Sequence, residues 1–196
     1  GYVSIEHGFR GMNLSVVSAC ATGTHNIGLS YRSIAYGESD VMIAGGAEKG
    51  SCILGIGGFA ALRGLSFSND DPATVSRPFD ETRNGFVLSD GAAVMVLESY
   101  EHAVARGANI LAEVVGFGMN ADAHHITQPS GDAQKAMALA CKEAGIQAEE
   151  VDCINAHATS TPVGDSAEIK AINSMFANKK DKIKVVALKS MLGHML

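Results

Sequence analysis

The sequence is poor in several features that would direct it to particular classes of protein. Its four cysteines stand far apart with no Cys-x-x-Cys pair, which excludes a zinc ribbon and a thioredoxin-type redox motif. A net charge of −6 argues against the general basic face that nucleic-acid binding needs. The longest apolar stretches, such as residues 92–97, fall far short of the ~20 residues that span a bilayer. Prolines number 4 against 22 glycines, a balance that favours tight strand-to-helix connections over a disordered tract.

What the chain does contain is an alternation of strand and helix patterns. The patterns predict strands at residues 14–18, 40–44, 92–98, 112–118, 151–156 and 183–188. They predict helices at residues 22–36, 100–106, 132–144 and 165–176, with a long irregular stretch at 65–86. Such alternation predicts an α/β fold with a largely parallel sheet. The first predicted strand lies close to the N-terminus and the chain stops just after His194, so we expect a fragment.

Cys20 stands between an apolar run and a helical pattern, and is therefore a candidate nucleophile. The first backbone N–H groups of a helix have no partner within it, and they favour the thiolate, which is the reactive form. The helix dipole contributes up to ~2 kcal/mol, or about one and a half pKa units. From a starting pKa of ~8.5 this leaves the thiol partly ionised at pH 7, so we expect a base or hydrogen-bonding partner nearby. The cysteines at 52, 141 and 153 are predicted to be small buried residues.

Three further reactive side chains lie at the ends of predicted strands. His157 is followed by Ala-Thr-Ser-Thr, and Lys189 opens the segment Lys-Ser-Met-Leu-Gly-His that ends at His194. Ligands of α/β sheets bind beyond the carboxyl ends of strands. We therefore expect these three residues and Cys20 to form one site. The adjacent pair His124-His125 is predicted to have a loop role, because neighbouring side chains rarely converge on one metal ion. The charged residues 179–182 are predicted to form a solvated loop.

Taken together, several segments resemble the β-ketoacyl-[acyl-carrier-protein] synthases, specifically the synthase II branch of the thiolase-fold condensing enzymes. The resemblance extends over essentially the whole chain. Its matching segments are Ala19-Cys20-Ala21-Thr22, residues 41–48, Gly57-Gly58-Phe59, residues 69–74, Ser76-Arg77-Pro78-Phe79-Asp80, residues 85–88, residues 116–119 and the two histidine segments. The resemblance implies a thiolase-like fold of two similar layered α/β halves with mainly parallel mixed sheets. Both halves would be incomplete here, the first at residues 1–108 and the second at residues 109–196.

The resemblance also implies a mechanism. Cys20 would take an acyl chain from acyl carrier protein as a thioester, and malonyl carrier protein would lose CO₂ in the same site. His157 and His194 would donate hydrogen bonds to the malonyl thioester oxygen, and such donors contribute ~2.7–4 kcal/mol each in other enzymes. Lys189 would disfavour the imidazolium form of the histidines. No metal or separate cofactor is implied, since the pantetheine arm arrives on the carrier protein.

Further roles are implied for residues around this centre. Thr159 and Thr161 match residues that bond the pantetheine amides, and Phe59 matches a residue of the acyl pocket. Arg63 and Thr127 match positions near the carrier-protein entrance. The acidic residues that orient the histidine loop are Asp165 and Glu168. The resemblance implies a homodimer paired through residues 40–44, in the bacterial cytoplasm or in an organelle stroma or matrix.

Two departures and three alternatives accompany this interpretation. Ala158 stands where the family usually has Gly, so its β-carbon adds bulk to the histidine loop. Leu192 stands where Thr is common, which removes a hydroxyl beside His194. A polyketide-type ketosynthase would differ in its acyl-chain preference. A non-catalytic partner subunit such as a chain-length factor typically replaces the nucleophile, so Cys20 argues against it. A cysteine protease using Cys20 and His157 leaves the Thr-Ser-Thr segment without a purpose.

Overall fold

The computed structural model describes residues 1–130, 132–179 and 182–196. Seven α-helices occur in this part of the chain: α1 Tyr2–His7, α2 Thr22–Ala35, α3 Ile53–Ala61, α4 Tyr100–Ala105, α5 Ala133–Ala144, α6 Pro162–Met175 and α7 Lys189–Leu192. The strands of the same residues are β1 Val41–Lys49, β2 Asp90–Glu98, β3 Cys153–Asn155 and β4 Lys184–Val186. Short 3-10 helices lie at Ala19–Ala21, Pro72–Thr74 and Ala148–Glu150.

The chain forms two compact units. The first unit comprises Gly1–Ala47, Gly91–Val115 and Leu196, and the second comprises Glu48–Asp90 and Gly116–Met195. The predicted division into two thiolase-like halves at residue 108 stays a prediction. Within the described residues, no helix combines the length and the apolar character needed to cross a membrane.

The first unit is built on the pairing of β1 with β2. The Ser99 N–H donates to the Asp40 carbonyl at 2.9 Å. Further along β1, a methyl group on Gly45 would lie 2.0 Å from the Ala93 carbonyl oxygen. Residue 40 thus lies beside residue 99, and residue 45 lies beside residue 93. Because the numbers rise along one strand as they fall along the other, the strands are antiparallel. Helix α2 is joined to β1 by Asn26, whose side-chain amide donates to the Gly45 carbonyl at 2.9 Å.

The second unit is built on the parallel pair β3 and β4, in the register Cys153↔Lys184, Ile154↔Val185 and Asn155↔Val186. Helices α5 and α6 pack against each other. A close approach under α5 explains Gly118, since a methyl group there would lie 2.0 Å from the Ala136 carbonyl oxygen. Phe117 beside it is buried, and its N–H donates to the Glu143 carboxylate at 2.8 Å.

The predicted alternation of helices and strands is confirmed, with corrections. The helices predicted at 22–36, 100–106, 132–144 and 165–176 form, as do the strands predicted at 40–44, 92–98, 151–156 and 183–188, each with shifted ends. The predictions of strands at 14–18 and 112–118 were wrong, because a strand needs a ladder of backbone hydrogen bonds to a neighbouring strand, and neither segment is paired in this way among the described residues. Helices α1, α3 and α7 were not predicted.

Two further predictions concerned the cysteines and the charged loop at 179–182. Cys52 and Cys153 are exposed rather than buried, Cys52 because its sulfur caps the first turn of α3, where it accepts from the Gly55 N–H at 3.4 Å. Of the predicted solvated loop at 179–182, residues 180 and 181 lie outside the described residues.

We predict that Gly45→Ala destabilises the first unit. The added methyl group would press on the β2 backbone, and overpacking of this kind costs about 1–3 kcal/mol. Urea unfolding of the natural full-length protein should show a lower midpoint. Gly23→Ala in α2 is the matched control, because nothing described lies within 4 Å of its added methyl group. An equal loss of stability in both variants would contradict the packing argument.

Candidate active site

The second unit brings the two predicted histidines together. The rings of His157 and His194 lie with their centroids 5.4 Å apart and their planes at 88°. Phe86 meets His194 edge to face at 5.3 Å, and Phe59 of α3 meets Phe86 in the same way at 5.4 Å. The residue expected at the acyl pocket is therefore linked to the histidine pair through one aromatic ring. His194 and Phe86 are buried, whereas part of His157 is open to solvent.

His194 is held by its own backbone. Its N–H donates to the Val87 carbonyl at 2.7 Å, and its carbonyl accepts from the Ser89 N–H at 2.9 Å. The result is a parallel bridge with Leu88, far away in sequence. Gly193 makes this approach possible: its φ is +73°, and a methyl group there would lie 2.8 Å from the Ser89 side chain.

His157 is positioned by a carboxylate on α6. One oxygen of Glu168 accepts from the His157 N–H at 2.6 Å, and the other accepts from the Ala158 N–H at 2.7 Å. Ala158 is fully buried and has a φ of +44°, in the left-handed region that glycine adopts most easily. The residue that departs from the family pattern therefore occupies a strained backbone position, which costs of order 1–3 kcal/mol.

Thr159 and Thr161 present a pair of hydroxyl groups. Their oxygens lie 2.9 Å apart, and Thr159 is buried. Gly164 leaves room for them, because a methyl group there would lie 2.4 Å from the Thr161 hydroxyl oxygen. Ser160 between them is fully buried with a φ of +69°, a second non-glycine residue in the left-handed region.

Asp165 anchors this turn from the first turn of α6. Its carboxylate, 1% exposed, accepts from the Ser160 N–H at 3.1 Å and from the Phe79 N–H at 2.8 Å. The Nε atom of Arg83 lies 3.6 Å from one oxygen of this carboxylate. Sequence reasoning assigned no role to Arg83, Ser160, Phe86 or Gly193. Phe86 lies in residues 85–88, one of the segments that resemble the family, and could have been identified from that resemblance. Arg83 lies in none of those segments.

The electrostatics of the second unit keep both imidazoles neutral. Burial lowers the pKa of His157 to about 4, and the positive charge of Lys189 lowers it further, opposed by Asp165. Burial also lowers the pKa of His194 to about 4, with His157 and Lys189 contributing in the same direction. Lys189 is half-buried at the start of α7, where its carbonyl accepts from the Ser76 hydroxyl at 3.1 Å.

Cys20 belongs to the first unit. It lies in the 3-10 turn Ala19–Ala21, immediately before α2, and is exposed. Ala19 has a φ of +50°, so the nucleophile candidate follows a strained residue. Two hydrogen bonds of Ser18 hold the turn: its N–H donates to the Thr22 hydroxyl at 2.9 Å, and its hydroxyl pairs with Nδ1 of His25 at 2.5 Å.

Arg63 and Thr127 lie in exposed loops of the second unit. Arg63 follows α3 with a φ of +59°, and its N–H donates to the Ala60 carbonyl. The Thr127 N–H donates to Nδ1 of His125 at 3.2 Å, and the Gln128 N–H donates to the same atom. His125 therefore holds its own loop. The hydrogen bonds described for Arg63 and Thr127 do not join them to the histidine pair.

Two family models match the chain. They are described as Beta-ketoacyl synthase, N-terminal domain, which matches residues 1–103, and Beta-ketoacyl synthase, C-terminal domain, which matches residues 111–196. The chain therefore belongs to the β-ketoacyl synthase family, and the resemblance inferred from its motifs is confirmed.

Curated relatives share about half of their residues with this chain. The 3-oxoacyl-[acyl-carrier-protein] synthase 2 of Vibrio cholerae is 53% identical over 200 aligned residues, which cover 100% of this chain and 48% of the relative. The enzyme of the same name from Staphylococcus aureus is 48% identical over 199 residues, covering 100% of this chain and 49% of the relative. The chain thus spans about half the length of these relatives.

Solved structures confirm the fold class. A β-ketoacyl synthase from Burkholderia phymatum superimposes with a TM-score of 0.93 at 43% identity, covering 98% of this chain and 47% of that chain. A chain of the AntDE:AntF complex superimposes with a TM-score of 0.95 at 35% identity, covering 99% and 48%. That complex contains a type II PKS acyl-carrier protein with its ketosynthase bound to the hexaketide. The thiolase-like α/β fold expected from the sequence is correct.

We predict that His157 and His194 remain neutral well below pH 6.5. Because their pKa values are lowered to about 4, NMR of the labelled imidazoles should show their titration near that pH. Lys189→Met should raise both pKa values yet leave them below 6.5, since burial is the larger cause. Lys170→Met, which removes an exposed lysine of α6, is the control and should leave both unchanged.

The lowered pKa values of the two histidines also determine how the free energy of unfolding depends on pH. Between pH 6.5 and about 4 the unfolded chain binds more protons at these histidines than the folded chain does. Their stabilising contribution is therefore present above pH 6.5 and is lost as the pH falls toward 4. Titration of either ring near 6.5 in the folded protein would contradict the assignment.

Proposed function

We propose that the protein is a β-ketoacyl-[acyl-carrier-protein] synthase that elongates fatty acids. The observation that carries this proposal is the pair of neutral histidines, His157 and His194, with the Thr159–Thr161 hydroxyl pair on the loop that follows His157. The chain that carries them is about half identical to named 3-oxoacyl-[acyl-carrier-protein] synthases. Two neutral imidazoles side by side offer N–H donors without a net positive charge. Fixed N–H donors of this kind stabilise an oxygen on which negative charge develops.

The first half-reaction is acyl transfer to Cys20. The thiolate attacks the carbonyl carbon of an acyl thioester on acyl carrier protein, and a tetrahedral intermediate forms. When it collapses, the carbon–sulfur bond to the carrier breaks, the acyl group stays on Cys20, and the carrier thiolate takes up a proton. The exposed turn after Ala19 supports this role, because an attacking sulfur needs an accessible and fixed position.

The second half-reaction is a decarboxylative Claisen condensation. The bond between the malonyl methylene carbon and its carboxylate breaks, CO₂ leaves, and the electron pair forms an enolate of the thioester. His157 and His194 donate hydrogen bonds to the enolate oxygen. The enolate carbon then attacks the acyl-Cys20 carbonyl, and the Cys20 thiolate leaves. The product is a β-ketoacyl thioester two carbons longer, still on the carrier protein.

The remaining residues bind and orient the substrate in this proposal. Thr159 and Thr161 bond the amides of the pantetheine arm, and Phe59 borders the acyl chain. Arg63 and Thr127 lie at the entrance, where Arg63 supplies positive charge to an acidic carrier protein. Asp165 and Glu168 hold the histidine loop. The arm belongs to the carrier protein, so the proposal needs no separate cofactor. It further includes a homodimer that pairs through residues 40–44, and a cytoplasmic location in bacteria.

We predict that Cys20 is acylated by acyl-[acyl-carrier-protein]. Intact mass of the natural full-length protein should rise by one acyl group after incubation. Cys20→Ala should show no gain, whereas Cys52→Ala, which removes another exposed cysteine, should gain the same mass as the wild type. Acylation of Cys20→Ala, or no acylation of folded wild-type protein, would count against the proposal.

We predict that the histidines act after acylation. His157→Ala and His194→Ala should each lower the rate of malonyl decarboxylation by about 10²–10³, the effect of removing one oxyanion donor. Mass spectrometry should still find acyl-Cys20 in both variants. Release of CO₂ from the malonyl substrate measures the rate. An undiminished rate in either variant would remove that histidine from the proposed mechanism.

A further inference from the structure

The turn that carries the hydroxyl pair is held in an unfavourable shape. Ala158 and Ser160 both have positive φ angles although neither is glycine. Such positions persist only where surrounding groups determine the backbone on several sides. Glu168 holds the start of the turn through the amides of His157 and Ala158. The end of the turn, at Thr161, is held by hydrogen bonds from a different part of the second unit.

That second hold is the side chain of Arg83. Its Nε donates to the Thr161 carbonyl at 3.2 Å, and its Nη2 donates to the Pro162 carbonyl at 2.8 Å and to the Ser166 hydroxyl at 2.7 Å. Its Nη1 donates to the Asp80 carbonyl at 2.6 Å, which fixes the guanidinium to its own segment. Arg83 therefore ties the segment around residue 80 to the residues that follow the hydroxyl pair.

The dipole of helix α6 disfavours the positive charge of Arg83. It lies at the N-terminus of α6, the positive end of the helix dipole, and its side chain is only 14% exposed. Asp165 at 3.6 Å compensates the charge. A lysine could supply the same charge, but not the planar fork that reaches carbonyls on both sides. The arrangement points to geometry rather than charge as the contribution of Arg83.

We propose that Arg83 is a positioning residue that sets the Thr159–Thr161 hydroxyl pair for the pantetheine arm of the substrate. This inference rests on the function proposed above. In this proposal Arg83 touches neither the substrate nor a histidine ring. It acts on the turn through the Thr161 and Pro162 carbonyls, and its bond to the Ser166 hydroxyl helps to fix the guanidinium there. Loss of the fork therefore weakens recognition of the pantetheine amides while leaving the chemistry at the thioester intact.

The test compares two malonyl donors on the natural full-length protein. Malonyl-pantetheine carries the amides, whereas malonyl S-ethyl thioester carries the same thioester without them. The readout is the ratio of kcat/KM for the first donor to that for the second. Arg83→Lys should lower this ratio about tenfold, as expected when charge-assisted hydrogen bonds are lost. In the Thr161→Val background, Arg83→Lys should change the ratio by less than about twofold, because both residues act through one contact.

Arg77→Gln is the matched control. The Arg77 guanidinium is on the same segment but donates to the Thr74 and Thr82 carbonyls. The bond from Arg77 to the turn comes from its backbone N–H, which donates to the Ser160 hydroxyl at 3.1 Å and is kept in the variant. Arg77→Gln should leave the ratio within about twofold of wild type, the margin for independent sites. Ser166→Ala removes one bond of the fork and should lower the ratio about threefold, even if Arg83→Lys fails to fold.

The outcomes separate the two proposals. Condensation by the wild type with an unchanged ratio in Ser166→Ala and in folded Arg83→Lys would overturn the role of Arg83 alone. An equal fall in Arg77→Gln would also overturn it, since the effect would then belong to the segment as a whole. No condensation with either donor by the wild type would overturn the proposed function, and this inference with it.

Discussion

The buried carboxylate of Asp165 is the interaction on which the second unit depends. It accepts amide hydrogen bonds from Phe79 and from Ser160, two segments more than eighty residues apart in the chain. A carboxylate with 1% exposure is tolerated only when hydrogen bonds and a nearby cation replace its water, and Arg83 provides that cation. Because both amides meet one carboxylate, the shape of the loop after His157 is coupled to the irregular stretch that precedes Phe86.

The same coupling delivers the histidine pair. The irregular stretch leads directly into Phe86 and Val87, and Val87 accepts the backbone hydrogen bond of His194. Asp165 and Glu168 fix the loop of His157 from the other side. The two rings thus meet because two loops are each tied to a shared segment, not because either histidine lies in a regular strand. Burial then lowers both pKa values, so geometry and protonation state have one structural origin.

The sequence predicted the two units unevenly, for physical reasons. Long periodic patterns such as those of α2 and α6 were read correctly, because local spacing determines them. The strands expected at 14–18 and 112–118 were not, because strand formation depends on a partner that local pattern does not reveal. Motifs identified His157 and Lys189 by residue type. They could not reveal Arg83, whose role comes from a fork spanning segments distant in sequence.

The departure at Ala158 illustrates how such couplings absorb an unfavourable residue. A left-handed alanine costs roughly 1–2 kcal/mol relative to glycine. Its methyl group is fully buried, however, and burying one such group returns about 0.8 kcal/mol. Its N–H is held by Glu168, so the conformation is imposed from outside and does not rely on glycine's freedom. Leu192, the other departure, is 55% exposed on α7, and the position of His194 is set by Gly193 and the Val87 carbonyl. Both substitutions are therefore compatible with an intact histidine pair.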